Sequence, residues 1–253
     1  ERHKTLNNYI NTKFKLIKNQ KKNDYAVLNT KNFFIKKKLK NQKFLSKIVA
    51  IDKKVKISIL KKIDNPYFMT DGNKENLSFI LEIAKILKIK RENLFKVLKR
   101  FEGLEYRQQI IFKSKDLTII NDSKSTSFSS AVSILKPLSC VYWIVGGLAK
   151  KGDKFSLSKN FCKNFRAYIF GKNKKYFIKE LKEKIKINHF KSLKEAIQKV
   201  IYDVNAQKNK EHKTILFSPS AASFDEFKNF EDRGQKFNIL IKKLKLRKIL
   251  NAR

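Results

Sequence analysis

The run Thr214-Ile215-Leu216-Phe217-Ser218-Pro219-Ser220-Ala221-Ala222-Ser223-Phe224-Asp225-Glu226-Phe227-Lys228-Asn229-Phe230-Glu231-Asp232-Arg233-Gly234 moves from four strand-like apolar residues into small hydroxyl residues. It then offers a helix start at Asp225, with Phe227 and Phe230 three apart on one helical face. A strand that ends in small polar residues and opens a helix leaves backbone N–H groups free at its tip. Those groups and the positive helix end suit an anion. Working outward, short apolar runs recur at Ile110–Phe112, Leu117–Ile120, Val141–Val145 and Ala167–Phe170. Amphipathic segments near 127–136, 174–184, 192–203 and 231–246 separate or follow them. This alternation predicts an α/β fold with a mostly parallel sheet, whose ligands sit beyond the carboxyl ends of the strands.

The amino-terminal part reads differently. Leu6, Tyr9, Ile10, Phe14 and Ile17 have helical spacing, and Tyr25–Asn29 reads as a buried strand. Residues 31–70 alternate short apolar runs with Lys clusters and are expected to form edge strands or hairpins. A helix is expected from Asn73 to about Leu87, and another over Arg91–Lys99. A boundary near 100–107 divides the chain into residues 1–102 and 103–253.

The 253 residues carry a formal net charge of +38, which invites a nucleic-acid-binding reading. Only eight of the 60 basic residues are arginine, whose planar fork is the better phosphate and base reader. The lysines run through every segment and do not gather into one block. The charge therefore reads first as a solvated basic surface, with a basic nucleic-acid-binding module kept as the alternative. Cys140 and Cys162 have no metal spacing and suggest no disulfide framework, which fits a reducing compartment. The longest apolar stretch, Cys140–Val145, is too short to span a membrane, and no signal peptide is read.

Three strand ends carry chemistry. In Asn121-Asp122-Ser123-Lys124-Ser125-Thr126, Asp122 can accept from a ribose hydroxyl or support a metal, and Lys124 is a point charge for phosphate or carboxylate. Ser125 and Thr126 can cap the next helix and donate to a ligand. In Gly146-Gly147-Leu148-Ala149-Lys150, the glycines would let a ligand approach the backbone, and Lys150 could neutralise it. Gly147–Lys154 imitates a phosphate loop, but Asp153 stands where its Lys belongs, so that reading is rejected. The third end is the opening stretch. Asn73 and Asn76 at a helix start and Tyr106-Arg107 at the boundary are weaker signals. Lys13 reads as solvated, and His3, His189 and His212 lack ligand spacing.

Together, the Asn-Asp-Ser-Lys-Ser-Thr, Gly-Gly-x-x-Lys and Ser218–Gly234 motifs resemble the Mur ligases of peptidoglycan synthesis. The resemblance spans essentially the whole chain. Ser218–Gly234 is similar to the D-glutamate-adding branch, rather than to the diamino-acid branch with its late Asp-Asn-Pro-Arg motif. Asp64-Asn65-Pro66 occurs early and lacks the Arg, so it is taken as chance. The resemblance implies the remainder of a central ATPase domain, followed by a Rossmann-like carboxyl-terminal domain that binds D-glutamate. It implies that ATP, with Mg2+, activates the carboxylate of UDP-N-acetylmuramoyl-L-alanine as an acyl phosphate. The amine of D-glutamate then attacks it. Under it, Lys124, Thr126 and Lys150 hold the D-glutamate carboxylates, with Ser223 and the backbone at Phe224 and Phe230. Asp122 and Arg107 contact the ribose and phosphates of ATP, and Asn73 and Asn76 the adenine. Lys13 matches a carbamylated lysine that helps hold magnesium, and with Lys124 it is a candidate catalytic residue.

Two departures stand out. Gly72 and Tyr106 occupy positions where the family usually or often has His. The uridine-nucleotide domain, the Gly-rich phosphate loop and a metal-binding His expected upstream of Glu1-Arg2-His3 do not occur in these residues. The expectation is an incomplete chain, inactive alone, from a monomeric bacterial cytoplasmic enzyme. A sister ligase of the folate-polyglutamate type, with another acceptor, is the remaining alternative.

Overall fold

The computed structural model describes residues 3–51, 55–207 and 211–248; Glu1 and Arg2 of the expected Glu1-Arg2-His3 segment lie outside them. The chain divides into two compact units, Glu1–Phe101 and Glu102–Arg253.

In the first unit, Thr5 starts α1 (Leu6–Lys18) by accepting the Asn8 N–H at 3.2 Å. The helix buries Phe14 and Ile17 in a small cluster with Ala26. β1 (Tyr25–Leu28) pairs in parallel with β2 (Lys47–Ala50), with Tyr25 opposite Lys47. The segment between them is α2 (Phe33–Asn41), followed after β2 by α3 (Ile57–Ile63), a 3-10 turn over Pro66–Met69, α4 (Asp71–Ile86) and α5 (Arg91–Arg100). Of the edge strands or hairpins expected over 31–70, one edge strand, β2, is present, and the hairpins are corrected to a β-α-β crossover followed by helices. The cause is local: Asn32 accepts N–H bonds from Phe34 and Ile35 at 3.0 and 3.3 Å, a helix cap that the surrounding lysines obscure. Likewise α4 begins at Asp71, because Thr70 accepts the Asn73 N–H at 3.4 Å. Asn65 has a structural role. Its amide donates to the carbonyls of Leu98 and Phe101 at 2.7 and 2.8 Å, and its Oδ1 accepts from Tyr67 N–H. It thereby closes the end of α5 over a core of Ile63, Phe68, Leu77 and Leu98.

The second unit is built on a six-stranded sheet. Its elements are β3 (Gln109–Lys113), β4 (Leu117–Asn121), α6 (Phe128–Leu135), β5 (Cys140–Gly146), β6 (Phe165–Phe170), α7 (Lys174–Leu181), β7 (Lys186–His189), α8 (Leu193–Ala206), β8 (Lys213–Phe217) and α9 (Phe230–Lys248). The strand order is β3-β4-β8-β5-β6-β7, antiparallel only between β3 and β4. This is the expected mostly parallel α/β architecture. β5 is buried at every position because alternate residues serve opposite faces. Val141, Trp143 and Val145 pack with Phe128, Phe165 and Phe177 on one side. Cys140, Tyr142 and Ile144 pack with Tyr168, Phe217 and Phe237 on the other. β7 escaped the sequence reading: Lys186-Ile187-Asn188-His189 is an edge strand with one apolar residue.

α9 begins at Phe230, not at Asp225. Residues before it form turns, in which the Ser223 carbonyl accepts from Glu226 and Phe227 N–H at 3.3 and 3.0 Å. The Asp225 carboxylate accepts the distant Lys172 N–H at 3.1 Å, and Asn229 caps α9 through Asp232 N–H at 2.7 Å. Phe227 and Phe230 thus do not share a helical face.

Candidate functional site

β4, β8 and β5 are neighbours in the sheet, so their carboxyl ends open side by side. They carry Asp122–Thr126, Ser218–Ser223 and Gly146–Lys150. Direct backbone bonds tie the three ends together: Asp122 N–H to Phe217 O at 2.7 Å, and Gly146 N–H to Pro219 O at 2.9 Å. The expected opening for a ligand over the two glycines is instead filled by the protein itself. A Cβ on Gly146, whose φ is +141°, would stand 2.0 Å from Phe170 O. One on Gly147, at φ +127°, would meet Ala222 O at 2.7 Å.

Asp122 is buried. It accepts the Ser218 hydroxyl at 2.9 Å and the Gln108 N–H at 3.1 Å. Burial pushes its carboxyl up to about 7, against the opposing pull of those two hydrogen bonds, Arg107 and Arg233. Ser123 donates its hydroxyl to Phe230 O at 2.8 Å, which joins this loop to the start of α9. Lys124 is half-buried. Its N–H donates to Tyr106 O at 3.0 Å, and its ammonium stands 3.5 Å from the centre of the Phe230 ring.

Tyr106, at φ +60°, has its ring against α9 where Gly234 leaves room. A Cβ on Gly234 would stand 2.3 Å from the Tyr106 ring. The other departure, Gly72, faces open space.

The remaining expected residues divide by position. Ser223 is buried, whereas Thr126, Lys150 and Arg107 are exposed and Phe224 is 72% exposed. Ser127 caps α6, in place of Ser125 or Thr126, by accepting Ser130 N–H at 3.3 Å. Asp153 accepts the Phe128 N–H at 2.6 Å, so the false phosphate loop is held against the start of α6.

In the first unit, Asn73 is buried and donates to Tyr67 O at 2.7 Å, while Asn76 is exposed on the same helix. Lys13 is exposed beside Tyr9, with its Nζ 5.5 Å from the ring. Two hollows of about 440 and 800 Å3 lie in this unit, and neither is lined by Lys13, Asn73 or Asn76. Among the described residues, no group of three or more His, Cys, Asp or Glu side chains is arranged to hold a metal ion. No described helix is long and apolar enough to cross a membrane.

The residue that sequence reasoning missed is Arg233. Its side chain is 0% exposed. Nε donates to Ser123 Oγ at 3.1 Å, and Nη2 donates to Ser123 O at 2.7 Å and Ala221 O at 3.0 Å. Nη1 is buried without a hydrogen-bond partner. Burial lowers its basicity to about 10, while Asp225 and Asp122 oppose that shift. The signal was available, because Arg233, Phe237 and Ile241 recur every four residues on the buried stripe of α9.

A mostly parallel sheet covered on both faces, with polar loops beyond three adjacent carboxyl ends, defines an α/β fold of the class in which ligand sites lie at strand tips. The Mur ligase middle domain family matches residues 1–89. Over 261 aligned residues the chain is 31% identical to UDP-N-acetylmuramoylalanine--D-glutamate ligase of Wolbachia sp. subsp. Brugia malayi, covering 97% of this chain and 51% of that protein. The Rickettsia bellii protein of the same name is 29% identical over 266 residues, with 97% and 59% covered. Among solved structures, the MurF ligase of Thermotoga maritima in complex with ADP shares the fold. Its TM-score is 0.63 at 15% identity, with 96% of this chain and 60% of that one covered. The chain belongs to the Mur ligase family. It spans between 51 and 59% of the length of those two curated relatives.

Proposed function

We propose that this chain supplies the acceptor-binding part, and a share of the nucleotide-binding part, of an ATP-dependent ligase that joins D-glutamate to UDP-N-acetylmuramoyl-L-alanine. One observation carries the reading. Lys124 follows the carboxyl end of β4, which adjoins those of β8 and β5, and its ammonium is held over the ring of Phe230, the first residue of α9. D-glutamate brings two carboxylates, and a bound dicarboxylate needs cations and N–H donors set at fixed separation. In this reading Lys124 and Lys150 supply the charge, and Thr126 and Ser223 supply hydroxyls. The backbone at Phe224 and Phe230 completes the clamp. With both carboxylates held, the amine is oriented to attack the acyl phosphate, and cations shield the oxyanion that develops. Residues 103–253 would form this domain, and residues 1–102 part of the ATP-binding domain.

ATP is the co-substrate in this reading. The related MurF structure was solved in complex with ADP, which supports a nucleotide site in the fold. Asn73, Asn76, Arg107 and Asp122 are the residues proposed to meet it. The Asn73 amide is already engaged with Tyr67 O, which leaves its side-chain oxygen for the base. Magnesium is expected with ATP. Lys13 can ligate it only as a carbamate, because an ammonium is a cation with no lone pair to offer. Family membership favours this reading over a nucleic-acid-binding module. The Ser218–Gly234 segment, similar to that of the D-glutamate-adding branch, favours it over a sister ligase.

The test is a ligation assay on the whole gene product that carries these residues. ADP release should require both UDP-N-acetylmuramoyl-L-alanine and D-glutamate, and neither L-glutamate nor a diamino acid should replace the latter. ADP release that ignores D-glutamate, or that a diamino acid sustains, would overturn the assignment.

A further inference from the structure

We infer that Arg233 is a positioning residue: its guanidinium fixes the loops after β4, β5 and β8 in the arrangement that aims Lys124. The inference deepens the proposed D-glutamate site and rests on that reading for its functional consequence. A fully buried arginine is costly, and an apolar residue at this point of the α9 stripe would serve packing better. What the guanidinium does is bridge. Nε and Nη2 hold both the hydroxyl and the carbonyl of Ser123, the residue before Lys124. Nη2 also holds Ala221 O, two residues before Ser223. The third loop is tied in through the backbone pairing of Leu148 with Ala222, the residue after Ala221, and Nη1 lies 3.3 Å from the point where a Cβ on Gly147 would stand. A side chain at 147 would crowd Ala222 O at 2.7 Å first and the guanidinium at 3.3 Å second. Ser123 Oγ in turn donates to Phe230 O, so the same centre sets the ring beneath the Lys124 ammonium. Lysine at 233 would keep the charge but lose the planar fork that reaches two carbonyls and a hydroxyl together.

The experiment uses Arg233→Ala and Arg233→Lys in the 253-residue chain, followed by NMR. In the unsubstituted chain the Phe230 ring should shift the Lys124 side-chain protons upfield, because the ammonium stands 3.5 Å from the ring centre. Both substitutions should abolish that shift. Millimolar guanidinium, far below denaturing concentration, should restore it in Arg233→Ala by refilling the vacated site. A merely structural role predicts lost stability without such rescue. If Arg233→Ala does not fold, Arg233→Lys decides. An unchanged Lys124 shift in either folded variant, or no restoration by guanidinium in a folded Arg233→Ala, overturns the inference. In the ligation assay, Arg233→Lys should raise the D-glutamate KM about tenfold or more with a smaller change in kcat. If the unsubstituted enzyme shows no D-glutamate dependence while the NMR effects appear, the ligase reading fails and the positioning role stands.

Discussion

Lys124→Ala is expected to raise the D-glutamate KM by about 10- to 150-fold, the equivalent of the 1.5–3 kcal/mol of one charge-assisted hydrogen bond. Lys124 is a half-buried cation on the loop that follows β4, already constrained by Tyr106 O at its amide and Phe230 at its ammonium. A side chain held in this way gives up little further freedom when a carboxylate arrives. Lys124→Met separates charge from packing, since the thioether can still lie on the Phe230 ring. It should fail nearly as badly as alanine. Thr126 and Lys150 are exposed and less constrained, so their removal should cost less. D-glutamate kinetics indistinguishable from the unsubstituted enzyme in Lys124→Ala would remove this residue from the site.

The second large effect is a pH dependence of stability. The buried Asp122 carboxyl is raised from 3.8 to about 7 in the folded chain. Between those values the folded state keeps a proton that the unfolded chain releases. Stability contributed at this group is therefore present at low pH, is lost progressively as pH rises through that window, and is flat above about 7. Asp122→Asn keeps an oxygen for one N–H or O–H donor and removes the titration. The stability of the unsubstituted chain minus that of Asp122→Asn should fall by about 1.4 kcal/mol per pH unit across the window, for a total on the order of 4 kcal/mol. Using the difference cancels the other carboxylates, which titrate in both chains. Denaturant unfolding at pH 4.5, 5.5, 6.5 and 8, values set by the window quoted above, reads it directly. A difference that does not change with pH would mean that Asp122 is charged throughout. The two substitutions also separate functions. Asp122→Asn should disturb nucleotide use first, and Lys124→Ala the acceptor.

Much of this was legible in the chain because the signals are local. The apolar runs that became β4, β5 and β8 are nearly continuous, as strands buried on both faces must be. Their small polar endings identify the strand tips without any knowledge of pairing. Which tips adjoin is another matter. The place of β8 between β4 and β5 depends on crossovers that no local pattern encodes. The misplaced start of α9 has the same origin. Asp225 has the chemistry of a helix cap, but its carboxylate serves Lys172, 53 residues away. The glycines at 146 and 147 were expected to let a ligand approach the backbone. What approaches is the chain's own backbone at Phe170 and Ala222, together with the Arg233 guanidinium. Arg233 itself was hidden by its chemistry. Arginine reads as solvated in so basic a chain, and only its four-residue spacing with Phe237 and Ile241 betrays a buried face. In the first unit, lysine-rich composition masked the Asn32 cap and turned a helix into expected hairpins.

The most direct test of the central claim is an NMR titration of the 253-residue chain with D-glutamate, read residue by residue from backbone amides. The account predicts saturable changes gathered at 122–126, 147–150 and 223–230, weaker or absent with L-glutamate and lost in Lys124→Ala. Changes confined to other surfaces, equal responses to both enantiomers, or full persistence in Lys124→Ala would contradict it.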